Sequence, residues 1–168
     1  MRGGAAAPGL PAAERELLGA VFAEHERGTV PSAHAAALQA LSATHDLRLL
    51  TNIWAPKTTW VAELARAGVL PLFRRAVFSS DTRSVKPSAR LFRAAVAGAA
   101  CAPAEVLVVG DSLRCDVLGA RRAGFAAAWV PPGAADSPAP PPEAVLAQYR
   151  VPSLLALAPQ AAAGAPAA

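Results

Sequence analysis

The chain has 168 residues, 54% of them apolar and 17% charged, with a formal net charge of +4. That is enough for one ordinary domain with a real core, but much of the apolar share is alanine and aromatics are 5%, so large core side chains are few. The sixteen basic residues are adjacent only at Arg74-Arg75 and Arg121-Arg122 and carry no aromatic companions, which does not imply nucleic acid as a partner, and no apolar run reaches membrane-spanning length.

Cys101 and Cys115 are the only cysteines and form no CxxC, against a disulfide framework or zinc site and in keeping with a reducing, cytoplasmic compartment. The modest positive balance suits an anionic small substrate and is equally a solubility feature.

Residues 1–11, MRGGAAAPGLP, are small and breaker-rich and are expected to be disordered. From Ala12 to Arg27, Leu17, Leu18, Val21 and Phe22 recur on one face among acidic residues, and Gly28 ends the run, which predicts an amphipathic helix. Pro31 and Ser32 open a second helix with Leu38 and Leu41 inward, and Leu47 to Asn52 reads as a strand. Thr51 stands at that strand's end, where it is either a plain strand-terminating threonine or a ligand-facing hydroxyl.

After a loop at Ile53–Lys57, Trp60 to Gly68 is expected to be helical with Val61, Leu64 and Ala65 inward. Trp54 either covers the core edge, the more frequent use of a lone tryptophan, or walls a pocket; the structural role is favoured. A third strand is read at Arg75–Ser80, followed by a loop and a helix carrying Leu91, Phe92, Ala95 and Val96. Lys86 precedes Pro87 at that helix's entry, which biases it to an extended backbone. Such a lysine is ordinarily a solvated residue.

The stretch EVLVVGDSLRCDVLGARRAG, Glu105–Gly124, carries the strongest signal. Val106–Val109 has the length and composition of a strand buried on both faces, Gly110 ends it, and Asp111 follows at its carboxyl end. Asp116 lies where a helix begins. Strand carboxyl ends are where open α/β sheets bind ligands, so two carboxylates there can converge on a hard cation such as Mg²⁺. The competing reading has Asp111 capping a helix and Asp116 solvated. Phe125–Val130 is a further strand, 131–142 a Pro/Ala linker, Tyr149–Leu157 a closing strand and short helix, and the tail beyond is expected to fray. No GxGxxG, P-loop or HExxH occurs, which leaves an unrelated dinucleotide-binding module without support.

In order along the chain, LRLLTN, SSDTRSVKPSARLFRAAV and GDSLRCD resemble the second, third and fourth motifs of the haloacid dehalogenase-like (HAD) phosphohydrolase superfamily over residues 31–157. The resemblance implies an α/β fold with a three-layer Rossmann-like core and a mostly parallel sheet, Mg²⁺ as cofactor and a small phosphorylated substrate. It implies that Thr51 and Asn52 bind phosphate, that Lys86 balances charge there, and that Asp111 and Asp116 hold the metal. Ser84 stands where many relatives have glycine. The Gly-Asp pair favours the phosphatase branch over metal-free dehalogenases.

One expected segment is missing from the sequence. The family's first motif, a strand ending in DxDx(T/V), supplies the aspartyl nucleophile and a general acid and base. The only Asp before Thr51 is Asp46, at the start of its strand and therefore the wrong end. The resemblance places the first-motif strand between the strand before Thr51 and the strand before Gly110. Its loss is expected to stop turnover and to leave two strand edges unpaired or force them together. The chain therefore reads as an N-terminally truncated HAD-like protein, whether shortened gene model, fragment or degenerate paralogue. Residues 1–30 would then be a disordered start with a cap-remnant helix, 31–157 the core and 158–168 a flexible tail. The alternative function is a non-catalytic remnant that binds metal, phosphate or a protein partner.

Overall fold

A computed structural model describes residues 9–26, 28–54, 56–82, 84–132 and 147–158. In chain order the elements are α1 (Ala12–Glu26), α2 (Ser32–Ser42), β1 (Leu47–Thr51), α3 (Lys57–Arg66), β2 (Phe73–Phe78), α4 (Ala89–Val96), β3 (Leu107–Gly110), α5 (Leu118–Ala123), β4 (Ala126–Trp129) and β5 (Tyr149–Arg150). Tight turns of 3₁₀ helix lie at Leu70–Leu72, Ser79–Asp81, Pro103–Glu105 and Leu154–Leu157, and a π-helical turn spans Leu113–Val117. The disordered start, the linker at 131–142 and the fraying tail fall largely outside the described residues.

The fold is α/β, and every described strand pair is parallel: β1 with β2, β3 with β4, and β4 with β5. Period-two alternation distributes the apolar side chains of β1 to two helical layers. Leu49 packs with Ile53, Leu64, Val69 and Phe78 on the α2/α3 side, whereas Leu50 joins Val77, Leu91 and Ala95 beneath α4. A second core under β3 and β4 gathers Phe92, Val117, Ala120, Phe125 and Trp129. Neighbouring positions on α4 thus enter two cores, and Leu91 and Phe92 are almost fully buried, each worth about 2–3 kcal/mol of apolar burial.

Among the described residues the strands form two sheets, β1-β2 and β3-β4-β5, and β1 does not pair with β3. This corrects the expectation that the strand before Gly110 is buried on both faces. Leu107 is 43% exposed and the rest of β3 only half-buried, whereas Ala127, Ala128 and Trp129 of β4 are buried. The reason is position: β4 has neighbours on both sides, and β3 is an edge.

Other boundaries moved for local reasons. β2 begins at Phe73, opposite Leu47 across an irregular register, and gives way to a 3₁₀ turn at Ser79, so the strand lies two residues earlier than 75–80. In α3 Ala65 is exposed and Glu63 is buried instead, because the Glu63 carboxylate accepts the Val30 N–H (2.7 Å) and the Arg66 guanidinium (2.6 Å). Trp54 does not cover the core; it is 87% exposed, with its N–H donated to Glu26 of α1. The apolar face of α1 is exposed as well.

Candidate active site

β1 carries Thr51 to its carboxyl end, where the hydroxyl makes only a long contact of 3.3 Å to the carbonyl of Asn52. The Asn52 side chain reaches across to the loop before α4 and clamps the backbone of Lys86. Its Oδ1 accepts the Lys86 N–H at 2.8 Å, and its Nδ2 donates to the Lys86 carbonyl at 3.4 Å. A residue expected to bind phosphate therefore uses its side chain to position the lysine, leaving its backbone N–H as the group beside Thr51.

From that clamped backbone, Lys86 Nζ extends to Asp116 Oδ1 at 2.6 Å and approaches the Leu50 carbonyl at 3.4 Å. The pair is shielded, with side-chain exposures of 14% and 8%, so the charges interact through little solvent. The other carboxylate oxygen of Asp116 accepts the Ser112 N–H at 3.0 Å.

The turn that presents these groups follows from β3. Gly110 is the last residue of the strand, and a Cβ there would enter the space of the Asp116 carboxylate. Asp111 comes next, its carbonyl fixed to β4 by the Trp129 indole N–H at 2.9 Å and its residue exposed. Ser112 then caps the π-helical turn, its hydroxyl accepting the Cys115 N–H at 3.0 Å. The reading of Asp111 as cap and Asp116 as solvated fails on both residues, since the cap is Ser112 and Asp116 is buried. Behind the site, Ser79 Oγ accepts the Ile53 N–H (2.9 Å) and donates to the Ile53 carbonyl (3.1 Å), locking the loop after Thr51 to the end of β2.

Sequence reasoning did not single out Ser79 or Ser112. Ser112 carried a signal, a small hydroxyl residue next to Gly-Asp before a helix; Ser79 carried none, because its partner is a backbone 26 residues away. Asp46 lies ahead of β1, at the opposite end of the strand from Thr51, and its carboxyl is held below its ordinary value chiefly by the hydrogen bond from Arg48.

Asp111 and Asp116 bring oxygen donors of the type a hard cation takes. Asp111 offers an exposed carboxylate, and each oxygen of Asp116 retains acceptor capacity beyond its one bond. Magnesium is held in many phosphate sites by one or two carboxylates with water and phosphate completing its shell. Among the described residues no group of three or more His, Cys, Asp or Glu could hold a metal ion.

A family model described as HAD-hydrolase-like matches residues 85–156, which include Lys86, Asp111 and Asp116. The phosphoserine phosphatase of Thermus thermophilus is 38% identical over 128 residues, covering 76% of this chain and 51% of that protein. Among solved structures, the magnesium-bound HAD-hydrolase YfnB of Bacillus subtilis superposes with a TM-score of 0.65 at 26% identity, over 76% of this chain and 54% of that one. An HAD phosphatase of Thermococcus onnurineus gives 0.61 at 25% identity, over 85% and 62%. The chain spans about half the length of the curated relative. Family model, relative and fold agree, and the chain belongs to the HAD-like hydrolase superfamily.

Proposed function

We propose that this chain carries most of the binding half of a Mg²⁺-dependent phosphohydrolase for a small phosphorylated metabolite, and that it turns over poorly by itself because no acidic nucleophile stands at the site among the described residues. The observation that carries the reading is the shielded Lys86–Asp116 pair, clamped by Asn52 and set between the ends of β1 and β3. A phosphoserine phosphatase and an HAD phosphatase among the similar proteins support the substrate class.

In this reading the Thr51 hydroxyl and the Asn52 N–H bind the phosphoryl oxygens, and Lys86 supplies positive charge against them. Asp111 and Asp116 hold the metal, which when bound adds Lewis-acid stabilisation of phosphoryl charge. Asn52 and Ser112 keep Lys86 and Asp116 in place, so little reorganisation is needed when an anion arrives. In this reading both aspartates of the set are committed to the metal, and Asp46, the one Asp ahead of Thr51, sits at the far end of β1 and cannot serve as the nucleophile. The division of β1 and β3 into separate sheets fits a central strand that the described residues do not provide.

The test is release of inorganic phosphate from a panel of phosphorylated metabolites with and without Mg²⁺, on this chain, on Asp111→Asn, and on the chain extended by an apolar strand ending in a DxD segment. The proposal expects negligible release from the chain itself and metal-dependent release from the extended form, lost in Asp111→Asn. Metal-dependent turnover by the chain as it stands would overturn the impairment. A folded extended form that stays inert would favour the non-catalytic binding reading.

A further inference from the structure

Helix α1 presents the wrong face to the rest of the chain. On its wheel, Gly19, Ala23 and Glu26 share one side and are half-buried; Gly19 comes near Pro56, and Glu26 accepts the Trp54 N–H at 2.8 Å. The opposite side carries Leu17, Leu18, Val21 and Phe22, exposed by 66%, 43%, 46% and 55%. Four neighbouring large apolar side chains in water make a patch of the kind that marks an interaction surface.

The order of residues on that face says what fits it. About the Gly19–Ala20 peptide the exposed face is self-complementary: Leu17 mirrors Phe22, Leu18 mirrors Val21, and Glu14 mirrors His25. The mirror point falls at the middle of the helix, which runs Ala12–Glu26, so an antiparallel copy overlaps its full length. A two-fold contact is self-complementary by construction, each residue meeting its mirror position on the other copy. We infer that α1 pairs antiparallel with α1 of a second copy of this chain, Leu18 packing on Val21 and Glu14 facing His25 at both ends. One helix face per copy places the contact at the small end of specific interfaces, below about 1,200 Å² in total, and so predicts a weak, reversible dimer.

Sedimentation velocity of the full chain, from low to several hundred micromolar at neutral pH, tests this. The expected result is a concentration-dependent monomer–dimer equilibrium that Leu18→Glu or Val21→Glu weakens at least about tenfold. Because these positions are exposed, circular dichroism is expected to show unchanged helix content. The register has its own test: His25→Glu weakens the dimer roughly threefold by placing a second carboxylate opposite Glu14, and adding Glu14→Lys to it restores the dimer. A chain monomeric at every concentration would overturn the inference and give the face to a different protein or to a longer form of this chain. A dimer indifferent to Leu18→Glu and Val21→Glu, or a double variant no better than His25→Glu alone, would overturn it equally.

Discussion

Lys86 and Asp116, 30 residues apart in sequence, form a 2.6 Å ion pair that ties the loop before α4 to the turn after β3. That contact crosses the line where the β1-β2 sheet gives way to the β3-β4-β5 sheet, and α4 is another bridge across it. A site-forming interaction is therefore also a structural one.

Breaking the pair from one side is expected to cost more than removing it whole. Lys86→Met leaves a buried carboxylate without its cation, and Asp116→Leu leaves the converse; each is predicted to destabilise by about 3–5 kcal/mol. The double variant is predicted to lose clearly less than the sum, as urea denaturation of all four proteins would measure. Additive losses would mean that the two charges do not support each other.

Gly110 has a packing reason, not a conformational one. An added Cβ meets the Asp116 carboxylate, so Gly110→Ala is predicted to destabilise by about 1–3 kcal/mol and to weaken Mg²⁺ binding by displacing Asp116. Calorimetric titration of the metal beside a denaturation curve reads both effects. A variant with native stability would show that Asp116 shifts aside freely.

At the other end of β1, Arg48 donates to the carbonyls of Ala95 (3.0 Å) and Ala97 (3.1 Å), satisfying the end of α4, and to Asp46. Arg48→Met is predicted to cost about 1–3 kcal/mol. The Asp46 carboxyl is held below its ordinary value, chiefly by the Arg48 hydrogen bond, so that share of the stability is present above the unfolded value near 3.8 and fades as pH falls through the folded one. The gap between wild type and variant is thus expected to narrow in acid and stay flat from neutral pH upward. Asp46 is close to solvent, so the narrowing is small.

Hydrogen exchange distinguishes edge from centre. β4 is paired on both sides, and β3 on one. Alternate amides of β3, those not directed at β4, are predicted to exchange much faster than the amides of Ala127 and Ala128. Uniform protection along Val108–Gly110 would place a strand against the free edge.

The sequence alone determined the parts whose signals are local. Apolar runs at Leu47–Leu50 and Val106–Val109 located two strands, and the acids after Gly110 and the lysine before Pro87 marked the site end, because strand termini and proline restrict the backbone within a few residues. Motif order was enough to indicate the superfamily. What it could not determine depends on neighbours distant along the chain. That Asn52 spends its side chain on the Lys86 backbone, that Glu63 is buried while Ala65 faces water, and that Trp54 and the apolar face of α1 lie in solvent are consequences of which surfaces meet. The half-burial of β3 is of the same kind, for a strand's composition fixes its tendency to be buried, whereas only the sheet decides whether a neighbour stands beside it.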